Sequence, residues 1–455
     1  MTAQANTTRK GARRDRGTVL IVTIWVVLVL AGLALVFARS MRVAAIVSAN
    51  HVASLEAECV AAGALEYVIA QLSTISDEDT SALEGADSYQ AMELGQSYFW
   101  ILRSNLEDDR EFEYGITDEA GKINLNSASL EMLLKLPGMT SELAASIIDW
   151  RDEDSEISTG GAENEYYLSL SEPYDCKNGP LETVDEILLI KGASEDLLYG
   201  EDTNLNGVLD DHENDGDNSD PVDNRNGRLD AGFYDYVTVY SEEANVDSEG
   251  NQRLNINDVQ ARADLQAALE EVVEEERALE IMNQVPMNPR YDNILDFYFG
   301  SGLTSEEFAQ LAGRLTTSEE ETLPGLVNVN TAGKEVLLCL PGLEESDVEA
   351  LLSYRASNND IDSVAWVTEV LDNAKAVEIG SFITTRSFQY SADIVCLAGN
   401  GRAYKRYKAV LDLREASPVI VYWKTLTYLG WPLTEAIVAA VRKGEPLTNT
   451  ILNMD

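Results

Sequence analysis

The sequence predicts an α+β protein in which a long N-terminal helix packs on an antiparallel sheet and a large helical domain interrupts that sheet. Three observations carry this. Residues 18–37 are an uncharged apolar run, and a helical pattern continues from it to residue 73 without a proline. Residues 122–151 recur, in altered form, at 326–355. Residues 386–424 alternate as strands do, around a G-N-G-R turn.

Thr18 to Phe37 is twenty residues long, enough to cross a hydrocarbon core of about 30 Å. Arg9, Lys10, Arg13, Arg14 and Arg16 precede it against the single acid Asp15. This bias places the N-terminus in the cytoplasm and the bulk of the chain outside. Arg39 and Arg42 follow the span and weaken the bias. Beyond it Val43, Ile46, Val47, Leu55, Cys59, Val60, Ala64, Tyr67, Val68 and Leu72 keep helical spacing, which predicts a spine about 80 Å long. Three readings of the segment compete: a cleaved secretory signal ending near Ala31–Ala34, a plain signal anchor, and a leader cut after Gly17 so that Thr18 begins the mature chain.

Acids outnumber bases 79 to 33, for a formal net charge of -46. Such a surface repels phosphate backbones and anionic lipid, and suits an extracytoplasmic protein or a divalent-cation binder. Cys59, Cys176, Cys339 and Cys396 are far apart, without a CxxC pair. An oxidising compartment allows one or two disulfides, with the pairing open. The two histidines, His51 and His212, read as a surface residue and a variable loop position.

The repeat aligns Asn124 and Asn126 with Asn328 and Asn330, Leu136-Pro137-Gly138 with Leu340-Pro341-Gly342, and Arg151 with Arg355. Each copy reads as helix, L-P-G turn, helix: a helix-hairpin-helix (SAM-like) unit. Ser127 or Thr331 would cap the first helix, and Gly138 or Gly342 would take positive φ in the turn. R-L-N-I-N at 253–257 is a shorter echo before a helical stretch at 258–283. Such hairpins can offer backbone N–H groups to a phosphate. Here Glu131, Glu142, Asp149, Asp152, Glu153 and Asp154 surround the first, and Glu335, Glu344, Glu345, Asp347 and Glu349 the second. Packing or subunit contact is therefore expected, and no nucleic acid.

Asp202 to Glu213, D-T-N-L-N-G-V-L-D-D-H-E, fits a twelve-position calcium loop. Asp202, Asn204, Asn206, Asp210 and Glu213 supply side-chain oxygens, Val208 its carbonyl, and Gly207 the sharp turn. The bland alternative is a solvated acidic linker. A second run keeps Asn224, Asn226, Gly227 and Asp230 but has Val222 and Phe233 at the end positions. It reads as a degenerate loop and candidate second metal site, with Asp217, Asp220 or Asp223 as replacements. Calcium is expected to be structural.

R-R-D-R before Gly17 resembles the leader of type IV pilins and pseudopilins. The resemblance implies cleavage by a prepilin peptidase and a pilin-like fold. At the fifth mature position, where pilins usually carry glutamate, stands Val22, which is the mark of the minor pseudopilin K family of type II secretion. An uncompensated carboxylate in lipid costs several kcal/mol, so a subunit with no neighbour above it does without one. G-A-E-N-E-Y-Y at 161–167, P-Y-D-C-K-N-G-P at 173–180 and V-D-E-I-L-L-I-K-G at 184–192 closely resemble the same family. From the residues, 161–180 is a turn-rich loop and 181–191 a short helix ending at Gly192.

The resulting domain order is leader 1–17, span and spine 18–75, first part of the sheet 76–121, first helical unit 122–200, calcium loop 201–235, helical insert 236–325, second unit 326–380, C-terminal strands 381–425 and tail 426–455. Strands are expected near 98–103, 111–117 and 418–424 and on both sides of Gly399–Arg402, with a tail helix at 433–443. No P-loop, G-x-S-x-G or H-E-x-x-H occurs, and no enzyme is expected. The resemblance implies a single-pass inner-membrane subunit, mostly periplasmic, at the tip of a pseudopilus that exports folded proteins. Its implied partners are the I- and J-type minor pseudopilins through the N-terminal helix, the peptidase, the inner-membrane assembly platform and exported substrate. The competing functions are a membrane-anchored DNA-uptake receptor and an adhesive type IV pilus tip subunit.

Overall fold

The structure, a computed structural model, describes residues 15–75, 83–106, 108–219, 221–358, 361–415 and 417–452. Residues 1–14 of the leader lie outside these. The spine is one helix, Asp15–Leu72. Among the described residues it is the one helix long and apolar enough to cross a membrane. Its large apolar side chains from Val19 to Phe37 are all exposed. Burial begins at Ala53, and Ala57, Ala61 and Ala64 continue the stripe toward Val68 and Leu72. Small side chains at three- and four-residue steps let the helix lie close on the sheet.

That sheet is antiparallel, in the order Met92–Leu94, Ser97–Arg103, Gln389–Leu397, Tyr404–Asp412, Val419–Thr425. Phe99, Ile101, Ile394, Cys396 and Tyr407 share a core with Val60, Ala64 and Val68 of the spine. Helix Glu435–Lys443 adds Ile437, Val438 and Val441 to it. The short strand Thr117–Asp118 pairs with Gln389–Leu397, so the chain leaves and re-enters the sheet at neighbouring positions.

Between them lies the helical insert, with its own core. It contains three related units where the sequence shows two and an echo. Each opens on a short strand carrying an Asx turn: the side chains of Asn124, Asn255 and Asn328 accept the amides of Asn126, Asn257 and Asn330 at 2.8, 2.9 and 2.9 Å. Each opening strand pairs in parallel with a closing one, 123–124 with 237–238, 254–255 with 315–316, and 327–328 with 383–384. Each closing strand carries a threonine (Thr238, Thr316 or Thr384) whose hydroxyl accepts the amide two residues on. The second asparagine of each pair clamps the far side of its unit. Asn126 exchanges bonds with both backbone groups of Leu181, Asn257 with both of Tyr291, and Asn330 donates to the carbonyl of Ile361.

In the first and third units the paired helices are Leu130–Leu134 with Ser141–Arg151, and Lys334–Cys339 with Glu345–Ser357. Gly138 and Gly342 sit at φ 68° and 69° in their turns. Arg151 reaches back to the carbonyls of Leu125 and Ala128, and Arg355 to those of Val329 and Ala332. The expected caps are corrected. Ser129 caps the first helix, because the Asx turn occupies the residues up to Asn126. Gly333 stands at the equivalent place in the third unit, and Thr331 instead bonds Asp118. The middle unit replaces the L-P-G hairpin with helices Arg262–Val272 and Glu275–Gln284. Within the short helix expected at 181–191, Val184–Leu189 form a 3-10 helix. All four cysteines are free thiols, Cys59 exposed and the others buried, so none of the disulfides the sequence allows is formed.

Asn126 holds a donor and an acceptor that have no other partner in the core of the first unit. Asn126→Ala is expected to cost about 1–3 kcal/mol in urea unfolding. Asn251→Ala, at an exposed turn, should stay within about 0.5 kcal/mol.

Candidate cation sites

The first predicted loop folds around an inward ring of oxygens. Asp202 accepts the amides of Asn206 and Gly207 at 3.0 and 2.9 Å, and Asn206 accepts that of Val208 at 2.8 Å. Glu213 closes the ring, accepting the amides of Thr203 and Asp210 at 3.2 and 3.1 Å. Leu205 and Gly207 take φ of 55° and 72°, which turns the chain back on itself. Asp210 accepts from the side-chain amides of Asn204 and Asn206 at 2.6 and 3.1 Å. The side-chain oxygen of Asn204 is buried and has no donor.

Asp202 and Glu213 are 2% and 1% exposed. Burial pushes the Asp202 carboxyl up to about 7, with the charge of Asp235 adding to it. Burial and the charge of Asp202 push Glu213 to about 8. Each group must hold a proton or face a cation. Oxygen ligands around buried carboxylates suit a hard divalent ion, and calcium needs the six to eight that this loop can assemble with water. His212 lies beside the ring, Nε2 3.7 Å from Glu213.

The second loop repeats this backbone. Arg225 and Gly227 have φ of 54° and 74°, and Asp230 accepts from Asn224 and Asn226 at 2.5 and 3.0 Å. Its missing end residues are replaced from elsewhere than expected. Asn214 takes the amide of Gly227, the role of Asp202. Glu201 takes the amide of Asp230, the role of Glu213. Asp223 instead fixes the linker, accepting the amides of Asp215, Gly216 and Arg225. Asp217 is exposed, and Asp220 lies outside the described residues.

A third cluster is not foreseen from sequence. Asp152, Asp154 and Glu163 bring carboxylate oxygens within 4.8 Å of one another. Glu163 is 3% exposed, and its nearest donors, the Asn164 amide and the Cys176 thiol, do not reach good hydrogen-bond geometry with either oxygen. One oxygen each of Asp152 and Asn178 is buried and likewise without a donor. Asp149 is fully buried beside them, packed where any side chain on Gly161 would collide with its carboxylate. Burial and mutual repulsion raise both Asp152 and Glu163. The signal was the 149, 152, 154 spacing at a helix end, which reads as a solvated acidic face until Glu163 is folded onto it.

The two hairpins differ in their surroundings. Leu197 packs near Gly138, while the carboxylate of Glu378 lies directly on Gly342.

Residues 115–199 match the family model described as type II secretion system (T2SS), protein K. The chain is protein K-like. Type II secretion system protein K of Klebsiella pneumoniae is 29% identical over a region covering 24% of this chain and 40% of that protein, so the chain spans well under half of this relative's length. The GspK-GspI-GspJ complex of the enterotoxigenic Escherichia coli type 2 secretion system aligns over 82% of this chain and 96% of that one, at 13% identity and a TM-score of 0.37. That likeness is too slight to transfer any contact. The protein K match contains the Asp149–Glu163 cluster, and the Asp202 loop begins just past its end.

In chelator, the folded chain holds protons on Asp202 and Glu213 that an unfolded chain sheds near 3.8 and 4.5. Stability is therefore complete below those values and is lost as pH rises through about 7 to 8. Melting temperature in chelator should fall from pH 5 to pH 8.5, and millimolar calcium should flatten that slope. Glu213→Gln should flatten it without calcium.

Proposed function

We propose that this protein is a membrane-anchored, non-catalytic subunit at the tip of a type II secretion pseudopilus, with calcium as a structural ion of its helical insert. The observation that carries this reading is the spine. Its first half is a bare apolar helix, and its second half holds the sheet through an alanine stripe. A helix of that kind can anchor in the inner membrane and bundle with other spines, and the family match names the system. The insert of residues 119–388 is the larger part of the chain, and that bulk supports an end position over a repeating one. Val22 fits the same place, since it needs no compensating amine from a subunit above. I- and J-type minor pseudopilins are the proposed partners along the spine. The prepilin peptidase would process Gly17, the assembly platform would receive the anchor, and exported substrate would meet the insert.

Acid bias and the carboxylate of Glu378 on the Gly342 turn both weigh against phosphate binding by the hairpins. A DNA-uptake role therefore stays secondary.

Gly17→Ala should leave the leader attached, so that mass spectrometry of the membrane-extracted chain shows the unprocessed mass. Wild type should show a chain beginning at Thr18. Copurification from membranes should recover other pseudopilins with wild type. An unaltered mass in both forms, or recovery of the chain alone, would overturn the reading.

A further inference from the structure

We infer that Arg406 is the positioning residue of the Asp202–Glu213 loop, so that cation binding in the loop and docking of the helical insert on the sheet are one equilibrium. This rests on reading the loop as a calcium site.

The loop belongs to the insert, yet its partners belong to the sheet. Arg406, on strand Tyr404–Asp412, is fully buried. Its Nε and Nη2 bind the carboxylate of Asp393, on the neighbouring strand, at 2.6–3.1 Å. Its remaining donors reach across the junction. Nη1 donates to the carbonyl of Asn204 and Nη2 to that of Leu205, each at 2.5 Å. These are positions three and four of the loop, and Asn204 is the residue whose side-chain oxygen lacks a donor. Three further contacts come from the same side. The side-chain amide of Asn206 donates to the carbonyl of Pro432 at 3.0 Å, which turns its oxygen back into the loop. The amide of Leu209 donates to the carbonyl of Asp109 at 2.8 Å. Gly207 lies against the backbone of Ser104.

Elsewhere this junction is loosely filled. A crevice of about 1010 Å³ runs beside the loop, lined by Leu205, Asn206, Asp393, Lys408 and Arg103 among others. The apolar cores of insert and sheet remain separate clusters. Orientation is held by polar pins, of which Lys424–Asp185 at 2.6 Å is another. A guanidinium suits the task because its planar fork serves a carboxylate and two carbonyls at once. The loop carbonyls are thus set by the sheet before an ion arrives, and an ion that rigidifies the loop firms the docking by the same factor.

The test uses the full chain in detergent. Calcium is titrated calorimetrically into wild type, Arg406→Lys and Glu213→Gln, the difference between wild type and Glu213→Gln isolating this loop from the Asp149 cluster. Spin labels on the exposed faces of insert and sheet report their separation with calcium and with chelator. Arg406→Lys keeps the charge and loses the fork, and should weaken loop affinity at least tenfold. Calcium should narrow the label distances in wild type and leave them unchanged in Glu213→Gln. Loop affinity within twofold of wild type in Arg406→Lys overturns the coupling while leaving the calcium site intact. No loop binding in wild type overturns the calcium reading itself. Should Arg406→Lys fail to fold, label distances that ignore calcium in wild type overturn the coupling on their own.

Discussion

The strand entering the helical insert and the strand leaving it are hydrogen-bonded neighbours, with Thr117 and Asp118 facing Ser391 and Tyr390. Everything from residue 119 to 388 must begin and end within one strand spacing, about 4.8 Å. Closing so long a loop has an entropic cost that grows slowly with length, and the folded interior must offset it. The insert meets the constraint by closing in stages. Each unit returns its chain beside its own start through a short parallel pair, so that three small closures replace one large one. Asp118 then ties entry to exit: its carboxylate accepts from Asn328 and Thr331, which open the third unit, and from Ser387, just before strand Gln389–Leu397. A carboxylate can be buried at that point because donors converge on it.

The same accounting separates two kinds of buried acid. Asp118 has hydroxyl and amide donors, and Asp393 has Arg406. Asp202, Glu213 and Glu163 are as deeply buried, and among the described residues no lysine or arginine bonds them; His212 stands 3.7 Å from Glu213. In a chain with 79 acids and 33 bases, internal cations are too few to serve every acid. Under the proposed role, an external divalent ion would supply the missing charge where oxygens are already grouped. The position of the Asp202 loop gives this local need a wider consequence, since the loop is also where the insert meets the sheet.

What could be read from sequence was what is written contiguously. The spine declares itself by its apolar run, the terminal strands by alternation, and the first loop by twelve consecutive positions. Two units show through Asn-x-Asn and L-P-G at matching distances. The middle unit kept Asn255 and Asn257 but lost the hairpin signature to a break between Val272 and Glu275, so its opening and a helical stretch were legible but not its division into two helices. Glu201 and Asn214 were invisible as completions of the second loop because they precede it, the one beside Asp202 and the other just past Glu213. The Asp149 cluster was hidden by composition: acids at 149, 152 and 154 look like a solvated face, and Glu163 joins them only through the fold. The cap at Ser129 was misplaced by two residues because the Asx turn of Asn124 holds residues 124–126 before the helix can start.

The spine shows why the head must be held firmly. Val43, Ile46, Val47, Val52 and Leu55 lie beyond the predicted span and are each 44–61% exposed. Burying such side chains is worth about 1.5–3 kcal/mol apiece, so helix association can drive assembly under the proposed role. Association along a continuous apolar helix is poorly selective, because one turn of slippage exchanges one set of apolar contacts for another. Selectivity has to come from the head, and a head can select only if its orientation on the spine is fixed. The alanine stripe fixes the sheet to the helix by close approach. Among the described residues the insert has no such stripe against the sheet; polar pins and the Tyr240–Tyr422 ring pair hold it beside a crevice. Those pins, with Arg406 bonded to the Asp202–Glu213 loop at their centre, decide how far the largest part of this molecule shares the register of its spine.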